Sequence, residues 1–303
     1  MISVVATPPM SVTLSVAHVE VVAGQSLEVW VQLAAQQPLT VRGLVVELAT
    51  RLTYQHKEVG FYGGRSVAHA RRTEVQATQE VPGPWPVEAS EVVRLPVTVP
   101  VPARAPGTTH VPLVELTWWV TVRVNVADFA ETRVSRSFVV LSRAPELLDR
   151  ASAPPVLDDR GCARVAIEEL SSRSAAPGRP LSGTVAISPI RRCAIQATRV
   201  QLLVRQQIHH GEWVGQDPTR NPGYQEMERD LVVAQRQIGG SVQLEPGVPV
   251  RAPFTLLLPD DLPTASVQNS NFTLEWLLRA MLDRRLRSDP YVEVPLHGRT
   301  TRD

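Results

Sequence analysis

FTLLLPDDLPTASVQNSNFTLEWLLRAMLDRRLRSDPYVEVP, residues Phe254–Pro295, is the stretch that decides the fold. Within it Leu274, Trp276, Leu278, Ala280 and Leu282 alternate with Glu275, Leu277, Arg279, Met281 and Asp283. Successive side chains of a strand point to opposite faces, so this spacing predicts a long strand with one apolar and one mostly polar face. A short apolar run, Phe254–Leu258, precedes it and stops at Pro259. Pro263 and the polar residues of Ser266–Asn271 then make a crossing loop between two strands.

The same grammar recurs upstream. Val12, Leu14 and Val16 alternate with Ser11, Thr13 and Ser15, and Gly24 precedes an alternating run through Leu27, Val29, Val31 and Leu33. A third strand, Val41–Leu48, follows Pro38. Shifted by 154 positions, from Gly24 to Gly178, Leu27 falls on Leu181, Val31 on Val185, Leu33 on Ile187 and Val41 on Ile195. Val46 then meets Val200, Leu48 meets Leu202 and Arg51 meets Arg205. Leu116, Trp118, Val120, Val122 and Val124 match the alternating residues of the first stretch at a shift of 158, from Trp118 to Trp276. Between these blocks, Leu95–Pro100 answers Phe254–Pro259.

Ordered matches over half a chain predict a duplicated unit of about 150 residues. We therefore expect an N-terminal sandwich over 1–145, a linker over 146–160 and a C-terminal sandwich over 161–303. Arg143–Asp159 is rich in Pro, Ala and charge, and Glu146–Arg150 is expected to form one helical turn. Each copy carries a poorly patterned insert, Gln55–Ser90 and His209–Gly247, read as hairpins with exposed tips. Short strands with Pro and Gly punctuation and little helical periodicity make the chain all-β, two tandem β-sandwiches with Trp118 and Trp276 in their cores.

Composition narrows the function. The 303 residues carry 31 basic and 30 acidic side chains, a net charge of +1, so no charge bias points to nucleic acid. The start, MISVVATPPM, lacks the basic and apolar regions of a leader, and no run reaches the ~18 apolar residues of a membrane span. A soluble, cytoplasmic chain is the expectation. Cys162 and Cys193 are expected as free thiols, with a disulfide between them as the alternative.

Signals for chemistry are absent. The single lysine, Lys57, lies in no Gly-x4-Gly-Lys loop, and neither a Gly-x-Ser-x-Gly elbow nor a Gly-x-Gly-x-x-Gly turn occurs. His209, His210 and Glu212 form the tightest metal-like cluster, but neighbouring strand residues face opposite ways. Asp158-Asp159 and Asp260-Asp261 read as solvated turns. No enzyme, cofactor or metal is expected. Arg191 and Arg192 at one inter-strand turn, and Arg284, Arg285 and Arg287 after the long strand, are the candidates for binding an acidic or phosphorylated partner, because guanidinium forks grip carboxylate and phosphate. The competing reading, which we favour, is a solvated strand end with local Arg–Asp pairs to Asp283 and Asp289.

Phe254–Asp283 also resembles a segment of the arrestin superfamily, in which a Phe-rich strand ends in Pro, a Leu-Pro turn follows, and a long strand carries an aromatic-x-apolar-x-Ala-x-apolar-Asp rhythm. PGRPLSGTVAI, Pro177–Ile187, resembles the early Pro-Gly-x-x-Leu-x-Gly-x-Val strand of the same domains. The resemblance implies two immunoglobulin-like, arrestin-type sandwiches and a non-enzymatic adaptor or scaffold. It would bind protein partners through concave sheet faces, sheet edges and long loops. Pro8-Pro9 and Pro154-Pro155 are not followed by x-Tyr, so recruitment of a WW-domain ligase is not implied. A self-assembling structural protein is the alternative, and peripheral membrane association through the arginines stays open.

Overall fold

The computed structural model describes residues 8–59, 65–142, 162–209, 227–268, 272–285 and 289–301, all of them strand, turn or irregular chain without helix. The expected linker, 146–160, and its helical turn lie outside the described residues. The chain divides into two compact units. One comprises Met1–Tyr54, Ala70–His110 and Val114–Ser142; the other comprises Gln55–His69, Val111–Leu113 and Arg143–Asp303.

The strands of the first half are β1 (Met10–Val16), β2 (Glu20–Val22), β3 (Ser26–Ala35), β4 (Leu39–Val59), β5 (Arg65–Val87), β6 (Val92–Pro100), β7 (Thr109–Val111), β8 (Val114–Val126) and β9 (Thr132–Leu141). They form a sheet β1-β3-β6 and a larger sheet β2-β9-β8-β4-β5, with β7 also on β8. The second half holds β10 (Ala163–Glu168), β11 (Ser174–Ala175), β12 (Pro180–Pro189), β13 (Cys193–Ile195), β14 (Ala197–Ile208), β15 (Met227–Gly239), β16 (Val242–Leu244), β17 (Val250–Leu257), β18 (Val267–Gln268), β19 (Phe272–Asp283) and β20 (Tyr291–Gly298). Its sheets run β10-β12-β17 and β11-β20-β19-β14-β15, with β18 on β19 and a separate β13-β16 ribbon. Apart from the β13-β16 ribbon, the two halves repeat one β-sandwich-like topology, including the parallel pairs β2–β9 and β11–β20.

Register makes the repeat concrete. Trp118 lies opposite Thr50 on one side and Phe138 on the other; Trp276 lies opposite Val204 and Leu296. These are the shifts of 154 and 158 read from the sequence. One match moves: Val99 faces Leu27 and Leu256 faces Leu181, so Leu256 is the counterpart of Val99. The sequence alignment of Leu95–Pro100 with Phe254–Pro259 is therefore two residues out of step. A slip of two leaves every side chain on its face, which is why alternation alone could not detect it.

The apolar faces close the two cores. Trp118, Val120, Val122 and Val124 are fully buried with Val46, Leu48 and Val31; Trp276, Leu278, Ala280 and Leu282 are buried with Val200, Leu202 and Val185. Gly24 and Gly178 hold positive φ of 89° and 66° immediately before β3 and β12, a conformation that disfavours a Cβ. Gly183 sits opposite Phe254, whose ring covers it: a Cβ there would lie 2.9 Å from the ring's Cζ.

The first insert is more regular than its pattern suggests. β4 continues to Val59, and PGPWP, Pro82–Pro86, lies at the end of β5. Gly83 packs so closely on the Arg42 carbonyl that a Cβ would approach its oxygen to 2.6 Å. Alternation is weak because β5 is an edge strand, exposed along most of Arg71–Glu80, and solvent on both faces removes the pressure for period two.

Candidate functional site

Three places carry exposed backbone, charge or reactive groups. The first is the sheet edge. β5 and its counterpart β15 end their sheets, and among the described residues neither has a strand on its outer side. An edge strand leaves a row of N–H and C=O groups able to pair with another chain. In β5 the prolines at 82, 84 and 86 cannot donate, so a continuous ladder is confined to residues before Pro82. Arg71, Arg72, Thr73, Glu74 and Val75 are all exposed within that span.

The second is the outer face of the larger sheet in the second half. Arg205 grips Glu293 with two hydrogen bonds of 2.7 and 3.0 Å and donates to Asp230 at 3.1 Å. Arg279 donates to Asp230 at 2.6 Å and to Glu293 at 2.8 Å. The four residues come from four adjacent strands, β15, β14, β19 and β20. Burial works against the charge on both guanidiniums, but the hydrogen bonds they donate to Glu293 and Asp230 outweigh it and raise both pKa values. Burial likewise opposes ionisation of Asp230, and its bonds from Arg205 and Arg279 prevail, holding it below the usual carboxylate range.

This network explains an oddity of the burial pattern. Leu203 and Leu277 face each other on the side turned away from the core, yet both are buried. Arg205 is level with Glu275, and Glu293 is level with Arg279, so the Arg205–Glu293 bridge crosses β19 above Leu277. The Arg279–Asp230 bridge crosses β14 above Leu203 by the same registers. The arginine stems roof the two leucines while their heads meet carboxylates. In the first half the equivalents of Arg279 and Glu293 are Thr121 and Ser135, whose hydroxyls lie 2.9 Å apart, and Arg51 stacks over Trp119 at 4.0 Å. The sequence pointed to Arg51 and Arg205 as repeat matches, but nothing in it reveals that four strands converge on one charge cluster.

The third place holds the predicted arginines. Arg191 and Arg192 are exposed in the turn from β12 to β13, and Arg192 Nε lies 3.1 Å from Glu245 Oε1. Arg284 is half-buried just past β19, and its backbone N–H donates to Asp289 Oδ1 at 2.7 Å. Arg285 is exposed; Arg287 lies outside the described residues. Asp283 is engaged by Arg199 at 2.6 Å, and among the described residues neither Arg284 nor Arg285 forms an ion pair with it. The charges of Arg284 and Arg191 both favour the thiolate of Cys193.

Cys162 is buried, Cys193 is half-buried, and both are free. Burial, then the hydrogen bond with the Cys162 thiol, push the Cys193 pKa up from 9.0 to about 11, against the pull of Arg284 and Arg191. Of the histidine cluster, His209 Nε2 lies 2.6 Å from Thr273 Oγ1, while His210 and Glu212 are outside the described residues. Among the described residues no three His, Cys, Asp or Glu side chains are grouped to hold a metal ion. No helix among them is long and apolar enough to cross a membrane.

Comparison with known families corrects the resemblance drawn from sequence. No arrestin family matches the chain. The residues behind that resemblance do general sandwich work: Gly178 makes a left-handed turn, Gly183 admits Phe254, and Leu274–Leu282 supply one buried face. Any two-sheet domain meets those demands. No curated protein matches the sequence. Residues 6–133, less than half of the 303-residue chain and confined to its first half, are similar to the family described as SpoOM protein.

Proposed function

We propose that the chain is a non-enzymatic adaptor or scaffold of the cytoplasm that accepts an extended segment of a protein partner along β5. The observation that carries this reading is the edge of β5 over Ala70–Val81, which no strand among the described residues covers and which prolines close off afterwards. Backbone pairing there would supply affinity, and the exposed Arg71, Arg72 and Glu74 would select the partner's side chains. Asp230, the carboxylate held off its ordinary range, is engaged by two guanidiniums, as in a structural ion pair rather than a poised acid.

Adjacent strand residues send their N–H groups to opposite edges, so Ala77→Pro and Thr78→Pro differ in kind. One loses an outward donor and the other breaks pairing with β4. Partners recovered from native lysate by the intact chain, then lost in the outward-donor variant whose thermal stability is kept, support the reading. Partner capture unchanged in that variant sinks it. Bait recovered only as large self-assemblies, abolished by the same substitution, replaces it with edge-to-edge assembly of this chain.

A further inference from the structure

We propose that Cys162 and Cys193 are a redox pair, closing to a reversible disulfide that ties the start of β10 to the start of β13. The backbone brings the two residues together independently of their thiols. Ala163 pairs with Pro189, and the Ile190 and Arg191 N–H groups both donate to the Cys162 carbonyl, at 2.8 and 3.2 Å. The turn thus wraps around Cys162, and Cys193 follows two residues after Arg191, with its thiol hydrogen-bonded to that of Cys162. Cys193 is the half-exposed member and Cys162 the buried one, so an oxidant meets Cys193 first.

The oxidant is a low-molecular-weight disulfide such as oxidised glutathione. Cys193 gives up its proton, and its thiolate attacks one sulfur of the oxidant, expelling one small thiol and leaving a mixed disulfide. Cys162 then loses its proton and attacks Cys193 Sγ, expelling the second small thiol. Two protein thiols are oxidised and one small disulfide is reduced to two thiols. Arg191 and Arg284 favour the attacking thiolate, whereas its raised pKa leaves little of it at neutral pH. Closure is therefore slow, and it accelerates as pH rises toward 11.

The test uses the full chain equilibrated natively in glutathione buffers of stepped redox poise, quenched by acid, alkylated and measured by intact mass and peptide mapping. The expected result is a species two hydrogen atoms lighter than the unalkylated reduced chain, mapped to Cys162–Cys193, that follows the buffer as a two-electron couple, with a thermal midpoint several degrees higher. Cys193→Ser must leave Cys162 unmodified under the same conditions, and Cys162→Ser must stop at a glutathione adduct on Cys193. Two alkylatable thiols under excess oxidised glutathione, or a stable glutathione adduct on the unaltered chain without the internal link, overturns the proposal.

Discussion

Gly298 has no room for a methyl group. A Cβ there would fall 1.9 Å from both Cδ1 and Nε1 of Trp276, the largest side chain in its core. The ring cannot retreat, because it is fully buried at the centre of β19. Gly298→Ala is expected to cost about 3 kcal/mol by urea unfolding, the upper end for overpacking. The two core tryptophans also differ at the nitrogen. Trp118 Nε1 donates to the Pro106 carbonyl at 2.9 Å, whereas the buried Trp276 Nε1 has no hydrogen-bond partner among the described residues. Replacing each by Phe separates the packing loss from the hydrogen bond. Trp118→Phe should destabilise by about 1 kcal/mol more than Trp276→Phe, and equal losses would mean the Pro106 bond contributes nothing net. Period-two spacing made both rings legible as core, but the glycine beneath one and the carbonyl beside the other lie far away in sequence.

At the level of strands, the outer face of β14 and β19 separates ion pairs that matter from those that do not. Arg205 and Glu293 retain side-chain exposures of only 18% and 17%, while Arg192 and Glu245 retain 72% and 49%. A double-mutant cycle on Arg279 and Glu293 should give a coupling of about 1–2 kcal/mol. The same cycle on Arg192 and Glu245 should give a few tenths at most, because solvent screens an exposed pair. The sequence marked the arginines by their clustering in the chain. Clustering along the chain selects turns, where residues are solvated; the strongly engaged arginines stand singly on separate strands and meet only once the sheet forms. The long edge strand was hidden for a related reason, since β5 buries neither face well enough to leave a pattern.

For the molecule as a whole, acid sensitivity follows from Asp230. Its folded pKa lies below its ordinary value of 3.8, so its contribution is complete above that value and is lost as pH falls through the folded pKa. The urea midpoint of the unaltered chain should therefore fall more between about pH 6 and pH 2 than that of Asp230→Asn, which lacks the titrating group. Parallel declines would show that other carboxylates dominate acid unfolding. The duplication itself was legible because both halves keep the same inward residues at fixed shifts, and core packing tolerates little change there. The outward faces diverged, and the family suggested by generic sandwich positions was accordingly the wrong one.

That divergence bears on how one chain keeps two copies of a fold apart while it folds. β8 and β19 present nearly interchangeable inner faces, so hydrophobic pattern alone would let either take the other's neighbour. If β20 docked on β8, Glu293 would meet Thr121; if β9 docked on β19, Arg279 would meet Ser135. Each exchange strands a charge without its counter-ion, while each native pairing matches hydroxyl with hydroxyl or guanidinium with carboxylate. Exchange of β9 and β20 between the halves would therefore leave Arg279 and Glu293 unpaired at this one rung.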